Sequence, residues 1–238
     1  NFGARNNLPI ATKNNGFDGT DTSFLFNQAP FVTHIQRMAD WSKSGIFKYG
    51  GRQSDAMPLF YTQECAMVME SSAGFAGIKE NMKGIDIGVS QLPYDDTLVD
   101  KPANSIIGGA SLWVMAGRPD AEYNGVAKFF TYLSSPEVQA DWHQATGYLP
   151  VTKAAYALTQ QQGFYQQNPG ADTAILQMTT SDSTANSKGL RFGNFLQTRE
   201  IVDEELEKVW SGKQSAQAAL DNAVKRGNEQ LRRFERTQ

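Results

Sequence analysis

The chain has 238 residues, of which 40% are hydrophobic and 20% charged, with a formal net charge of −3 and a pI near 5.5. This composition is typical of a globular protein with one large domain or two small ones. The slight acidity argues against nucleic acid as the main partner. It does not exclude an anionic ligand, because a binding site depends on its local donors. No apolar run approaches the roughly 18 residues of a spanning helix.

Cysteine and histidine usage argues against a disulfide and a metal site, and the absence of two glycine-rich motifs argues against a nucleotide cofactor. Cys65 is the single cysteine, so an internal disulfide is excluded. The two histidines, His34 and His143, have no Cys or His partner at zinc-ligand spacing. Neither the GxGxxG nor the GxxxxGK[ST] phosphate loop occurs. We therefore expect no metal and no cofactor.

Hydrophobic periodicity predicts strands that alternate with helices in the first half of the chain and mainly helices afterwards. This order favours the α/β class, although it is not a clean succession of βαβ units. Polar residues 181–188 predict a flexible loop. The predicted strands are 65–70, 85–92 and 105–115, and the predicted helices are 31–44, 54–63, 71–83, 120–134, 136–145, parts of 157–176, 196–210 and 214–234.

Two glycines, Gly108 and Gly109, interrupt the predicted strand 105–115. Glycine inside a strand marks a bulge, a hinge or a backbone that approaches a ligand closely. From this segment alone, a core strand with a bulge is the simpler interpretation. The functional interpretation is that the backbone N–H of either glycine contacts a ligand directly.

Ser71 and Ser72 lie where a predicted strand meets a predicted helix. A serine at this position can cap the helix, and the free N–H groups with the helix dipole can also bind an anion. Plain capping and anion binding both remain open. A catalytic role for Ser71 is much less favoured, because the GxSxG elbow is absent and no histidine lies in a comparable context.

Tyr148 follows the glycine that ends a predicted helix and is followed closely by Pro150, so its ring is presented in a turn. Packing is the simpler role for such a tyrosine, and ligand contact is the alternative. Arg191 and Arg199 bracket a loop before an acidic helix. Their planar forks suit a phosphate group, but Arg199 could instead pair with Asp203 on a solvated helix face.

Seven segments of the chain, in order and at similar spacing, resemble the periplasmic glycerol-3-phosphate-binding proteins of ABC importers. They include "CAMVMESSAG", "IIGGASLWVM", "WHQATGYLPVTKAAY", "SKGLRFGN" and "IVDEELEKVW". The resemblance implies the periplasmic-binding-protein-like type II fold, in which two α/β lobes joined by a hinge close on a ligand. It also implies a periplasmic location, a monomer, and membrane subunits of an ABC transporter as partners.

The resemblance further implies that the ligand is sn-glycerol 3-phosphate, and glycerophosphodiesters such as glycerophosphocholine. The ligand-contacting positions that it transfers, each within its own motif, are Ser71, Gly109, Tyr148 and Arg199. Ser72, Gly108 and Arg191 are secondary candidates for ligand contact. Binding without turnover would favour a closed state that the transporter recognises.

The lobes are also assigned by resemblance. Residues 1–104 and 148–238 are expected in the second lobe, and 105–147 in a hinge strand and a return segment of the first lobe. Most of the first lobe is expected before residue 1. Two rival functions remain open: a sugar- or oligosaccharide-binding relative of the same fold, and, more remotely, a hydrolase that uses Ser71.

Overall fold

Helices dominate the residues that the structure describes, 1–179 and 181–238 of a computed structural model. None of the helices in these residues is long and apolar enough to cross a bilayer. The helices are α1 (Phe2–Arg5), α2 (Thr12–Gly16), α3 (Ala29–Lys43), α4 (Met57–Tyr61), α5 (Phe75–Asn81), α6 (Asp120–Leu133), α7 (Pro136–Thr146), α8 (Lys153–Gln161), α9 (Phe164–Gln167), α10 (Thr173–Thr179), α11 (Phe195–Trp210) and α12 (Ala216–Glu235), with a 3₁₀ turn at Ser72–Gly74.

The long predicted helices form close to their predicted ends because local signals set their boundaries. Pro136 begins α7, where its missing N–H costs nothing. Gly147 ends α7 in the left-handed conformation, with φ of 77°. Ser215 caps α12, where its hydroxyl accepts a hydrogen bond from the Ala218 N–H at 3.2 Å.

The predicted strands do not form in the described residues, which contain one isolated antiparallel bridge, between Ala11 and Phe24. The segments 65–70, 85–92 and 105–115 have no regular secondary structure. Strand identity depends on a hydrogen-bonded neighbour that is often distant in sequence, and hydrophobic alternation does not provide that neighbour. The prediction of strands in these three segments was therefore wrong for this chain.

Three predicted helices are shorter or more divided than the sequence indicated. The prediction over 54–63 resolves into the five-residue α4. The prediction over 71–83 resolves into the 3₁₀ turn and the seven-residue α5. The prediction over 157–176 resolves into α8, α9 and α10, because Gly163 adopts a left-handed conformation with φ of 74° and Gly170 does so with φ of 87°.

The chain folds into two compact units, each made of segments that are separated in sequence. Unit 1 comprises Asn1–Val68, Pro93–Ile106 and the described residues of Thr180–Gln238. Unit 2 comprises Met69–Leu92 and Ile107–Thr179. The boundary between the units at 106–107 falls next to position 105, where the sequence predicts a hinge crossing. Residues 69–92 and 148–179 belong to unit 2 together with 107–147, whereas the expected lobe assignment separates them from that segment. The assignment of residues to lobes stays a prediction.

Unit 1 is built on the packing of α11 against α12, with α3 against α12. On α12, small and apolar residues recur at helical spacing along one face, which lets the neighbouring helices approach closely. A Cβ built at Gly227 would lie only 3.0 Å from the Phe24 ring, so the glycine allows that ring to pack closely against α12. The buried residues of this face are Ala216, Ala219, Leu220, Ala223, Gly227 and Leu231.

The polar loop 181–188 of unit 1 is anchored rather than free. The Ser187 side chain is buried, and its hydroxyl donates to Asn104 Oδ1 at 2.6 Å. The Thr184 hydroxyl donates to Asn7 Oδ1 at 2.8 Å. The polar composition of the segment predicted a flexible loop, but these hydrogen bonds between side chains distant in sequence hold it in place.

Unit 2 packs α7 against α8 and, more lightly, against α5 and α6. Its buried positions are few and mostly small or polar: Met82 after α5, Ala140 and His143 on α7, Ala155 and Thr159 on α8, and Ile175 on α10. By contrast, α6 buries no residue at all. Residues 107–115 are exposed throughout.

Candidate ligand-binding site

Ser71 caps the 3₁₀ turn that precedes α5. Its Oγ accepts a hydrogen bond from the Ala73 N–H at 3.3 Å, and its own N–H donates to Glu70 Oε1 at 2.7 Å. The hydroxyl proton of Ser71 is left to donate elsewhere. Because α5 has only seven residues and the Ser71 N–H already has a partner, this geometry favours capping over an anion site at the helix N-terminus.

The Ser71–Gly74 turn lies directly against the turn that carries Tyr148. A Cβ built at Gly147 would lie 2.6 Å from the Ser72 carbonyl oxygen, closer than a real side chain allows. Gly147 also has φ of 77°, which residues with side chains rarely adopt. Only glycine fits here, so the absence of a side chain at position 147 sets the distance between the two turns. The structure thus brings Ser71, Ser72 and Tyr148 into one neighbourhood of unit 2.

Hydrogen bonds fix the backbone of Tyr148, while the residue stays half exposed. The carbonyl oxygen of Tyr148 accepts a hydrogen bond from His143 Nδ1, and its N–H donates to Thr146 Oγ1 at 3.3 Å. The Gly147 N–H donates to the His143 carbonyl at 2.9 Å. With its main chain held in this way, Tyr148 is still 50% exposed, so its ring is accessible to a ligand.

His143 is buried, and both of its ring nitrogens have partners. Nδ1 bonds to the Tyr148 carbonyl and Nε2 to the Tyr165 hydroxyl at 2.9 Å. Burial lowers its pKa, although the bond to Tyr148 opposes this. A general base for Ser71 would need a free nitrogen within hydrogen-bond reach. His143 therefore does not supply the base that a Ser71 hydrolase would require.

The Gly108–Gly109 segment lies open to solvent in unit 2. Gly109 has φ of 121°, a conformation that residues with side chains rarely adopt, and nothing lies within 4 Å of a Cβ built at either glycine. Their backbone is accessible, as close contact with a ligand requires. Within the described chain, no hydrogen bond joins the main chain of residues 107–111 to that of the Ser71 or Tyr148 turns.

Arg199 lies on α11 in unit 1, with its side chain exposed. Among the described residues, no ion pair within 4.0 Å joins it to Asp203. Burial raises the pKa of the Asp203 carboxyl, and the charge of Arg199 acts only as one of the smaller, opposing influences on it. The alternative in which Asp203 holds Arg199 in an ion pair is therefore not observed. Arg191 is also exposed, and its backbone N–H donates to the Asn15 carbonyl at 3.0 Å.

The four transferred positions divide between the units: Ser71, Gly109 and Tyr148 belong to unit 2, and Arg199 belongs to unit 1. Sequence reasoning missed His143 as a support of the Tyr148 turn, together with its partner Tyr165. The available signal was the position of His143 four residues before the glycine that ends α7, where a side chain can reach the next turn of chain. Within the described residues, no group of three or more His, Cys, Asp or Glu side chains could hold a metal.

Comparison with known proteins defines the class. The model of the family described as bacterial extracellular solute-binding protein matches residues 3–173. The chain therefore belongs to this family. A solved structure, the cyclic alpha-maltosyl-1,6-maltose binding protein from Arthrobacter globiformis, has a TM-score of 0.71 over 95% of this chain and 53% of its own, at 21% identity. That likeness supports a solute-binding protein fold.

Among individual relatives, the chain is similar to the sn-glycerol-3-phosphate-binding periplasmic protein UgpB of Pectobacterium atrosepticum. The two are 54% identical over 237 residues, which cover 100% of this chain and 53% of the relative. The protein of the same name from Escherichia coli K12 is also 54% identical over 237 residues and is covered to 54%. The chain thus spans about half the length of the curated relatives that it matches.

Proposed function

We propose that this chain is part of a periplasmic solute-binding protein that captures sn-glycerol 3-phosphate and delivers it to the membrane subunits of an ABC transporter. The observation that carries the proposal is the 54% identity, over the whole chain, to proteins named for binding this ligand. Such a protein binds and releases its ligand unchanged. Glycerophosphodiesters such as glycerophosphocholine are proposed as further ligands, and a monomer as the working state.

The proposed contacts assign a role to each candidate residue. The Arg199 guanidinium would donate two hydrogen bonds to the phosphate group, and the Ser71 hydroxyl proton would donate a further one. Tyr148 would present its half-exposed phenol, and the open Gly109 backbone would allow close approach. Support comes from the solvent-exposed Arg199 side chain and from the Ser71 and Tyr148 turns in contact through Gly147. Ser72, Gly108 and Arg191 are secondary candidates.

A two-lobe arrangement is part of the proposal. Residues 1–104 and 148–238 would form the second lobe, and 105–147 the hinge strand and the return into a first lobe that lies mostly outside this sequence. Two observations support it: the relatives are about twice as long, and residues 107–115 are mostly apolar yet exposed. In this arrangement a first-lobe strand would pair with 107–115 and cover it.

Sugar binding is the second candidate, because the solved neighbour is named for a maltose-type ligand. At 21% identity, that likeness supports the fold alone. Sugar sites place aromatic faces against a ring and depend less on an arginine fork. An exposed Arg199 that makes no ion pair with Asp203 therefore favours the phosphate ligand.

Titration calorimetry on the intact natural protein tests the proposal, with sn-glycerol 3-phosphate, glycerophosphocholine and maltose as separate ligands. We expect the first two to bind and maltose not to bind. Binding of maltose without glycerol 3-phosphate would replace the proposal with the sugar alternative. Release of glycerol or phosphate that depends on Ser71 would contradict a carrier without turnover.

Arg199→Ala in the intact protein tests the phosphate contact itself. Hydrogen bonds to charged groups contribute about 1.5–3 kcal/mol, so affinity for glycerol 3-phosphate should fall roughly 10- to 150-fold. Arg199→Lys should restore only part, because a point charge lacks the fork. Arg233→Ala, which removes another exposed arginine of unit 1, is the matched control. Unchanged affinity in Arg199→Ala would remove Arg199 from the site.

A further inference from the structure

His143 contacts the Tyr148 turn through two of its own groups. Its main-chain carbonyl accepts from the Gly147 N–H at 2.9 Å, and its Nδ1 bonds to the Tyr148 carbonyl oxygen. One residue thus bonds to the peptide units on either side of the Gly147–Tyr148 peptide. The phenol of Tyr148, which makes none of these bonds, projects from that fixed main chain.

The protonation state of His143 follows from its partners. A carbonyl oxygen can only accept, so the ring must carry its proton on Nδ1 to bond to Tyr148. In the neutral ring Nε2 is then an acceptor, and the Tyr165 hydroxyl at 2.9 Å is the donor that it needs. The carbonyl of Tyr148, which can only accept, therefore selects the tautomer, and the Tyr165 hydroxyl is compatible with it because a hydroxyl can donate to Nε2.

The surroundings of His143 favour this neutral form. The side chain is buried, with 2% of the residue exposed. Its ring contacts on α9 are Phe164, at 5.8 Å between centroids, and Tyr165, at 5.7 Å. Burial among uncharged rings disfavours the charged imidazolium.

We infer that His143 is a positioning residue for the ligand site, whose Nδ1–H holds the Tyr148 main chain so that the phenol faces the ligand. The inference rests on the proposed function, because it requires Tyr148 to contact the bound molecule. It goes beyond that function by assigning a role to a buried residue that touches no ligand, with Tyr165 as its second hydrogen-bond partner.

A matched pair of variants separates the hydrogen bond from packing. In His143→Asn, the amide nitrogen can replace Nδ1 as donor to the Tyr148 carbonyl, whereas His143→Leu has nearly the same shape without a donor. A net hydrogen bond of ordinary strength corresponds to roughly 3- to 10-fold in affinity. We expect His143→Leu to lose that factor in affinity for sn-glycerol 3-phosphate and His143→Asn to recover most of it.

The measurement is titration calorimetry on the intact natural protein, with thermal unfolding of each variant alongside. A merely structural role would lower both melting temperatures and leave both affinities equal to that of the wild type, which would overturn the inference. Equal losses of affinity in the two variants would overturn it as well. If the wild type itself does not bind glycerol 3-phosphate, the proposed function fails first and the inference fails with it.

Nuclear magnetic resonance on ¹⁵N-histidine-labelled wild-type protein tests the Nδ1–H donor that the inference requires, even if His143→Leu does not fold. The sequence has two histidines, so the resonances that disappear in His143→Asn belong to His143 and the rest to His34. We expect the neutral ring of His143 to be protonated at Nδ1. Protonation at Nε2 would leave Nδ1 unable to donate to Tyr148 and would overturn the inference.

Discussion

Unit 1 and unit 2 are stabilised by different kinds of interaction. In unit 1, α11 and α12 combine an apolar face with a charged network, in which Glu205 binds Arg226 at 2.7 Å and Lys208 at 2.8 Å. In unit 2, the buried polar side chains are those of His143 and Thr159, and two turns meet closely at Gly147. Stability in unit 1 thus depends on side-chain volume and charge. Unit 2 depends instead on the absence of a side chain at position 147 and on hydrogen bonds to buried His143.

The largest expected effect is on the apolar face of unit 1. Leu231 is 1% exposed and packs with Ala11 and Phe24. Leu231→Ala should lower the free energy of unfolding by about 2–5 kcal/mol through lost transfer energy and a residual cavity. Urea denaturation measures the change, and Lys225→Ala on the same helix, away from the buried face, should alter it by less than about 0.5 kcal/mol. A loss below about 1 kcal/mol for Leu231→Ala would mean that this cluster is not the core of unit 1.

A smaller effect is expected where unit 2 needs glycine. Gly147→Ala adds both left-handed strain and an approach of 2.6 Å to the Ser72 carbonyl. Together these should cost about 2–4 kcal/mol of stability.

Gly117→Ala is the matched control for this prediction. Gly117 has φ of 76° but nothing within 4 Å of a built Cβ. It should therefore incur the conformational cost alone, about 1 kcal/mol. Equal losses in the two variants, measured by denaturation, would show that the contact between the turns carries no energy and would remove the argument that Gly147 sets their distance.

The smallest expected effect on stability concerns the charged network around Glu205 in unit 1. Burial would raise the pKa of Glu205, but hydrogen bonds from Lys208, Gln214 and Arg226 outweigh it and lower that pKa to about 2. The folded state thus holds the carboxylate more firmly than the unfolded state does. Its contribution is fully present above the ordinary value of 4.5 and is lost as the pH falls towards 2.

Glu205→Gln should therefore cost about 1–3 kcal/mol at pH 7 and flatten the decline of stability below about pH 4.5. Denaturation curves between about pH 7 and pH 3 measure both quantities. Glu204→Gln is the control, because Glu204 pairs with the same Arg226 but is 45% exposed, and exposed pairs contribute about 0–1 kcal/mol. An acid slope that is unchanged in Glu205→Gln would assign the acid sensitivity to other carboxylates.

The sequence predicted what is decided locally and missed what is decided between distant segments. The helix ends at Pro136, Gly147 and Ser215 follow from cap chemistry within a few residues, and the structure has them there. The strands were wrong because pairing needs a partner segment. The anchored loop at Ser187 was missed because its partner, Asn104, lies 83 residues away.

In the candidate site, too, the sequence predicted local features and missed contacts between distant segments. Position within a motif was enough to single out Ser71 and Tyr148, but their contact through Gly147 depends on how α5 packs against α7. The position of His143 four residues before Gly147 indicated that its side chain could reach the following turn, but nothing in the sequence indicated the Tyr148 carbonyl and the Tyr165 hydroxyl as its partners. The convergence of Arg199 with these residues around one cleft stays a prediction.

The exposed segment 107–115 has a consequence for the lifetime of the chain. Exposed backbone outside regular secondary structure is readily bound by proteases and by the edges of foreign strands. Trp113 is 89% exposed and Met115 is 70% exposed, so this segment also offers apolar side chains to any such partner. A chain whose segment 107–115 stays uncovered should be nicked there and should self-associate through it, while loop 181–188, although more polar, is protected by its hydrogen bonds to Asn7 and Asn104.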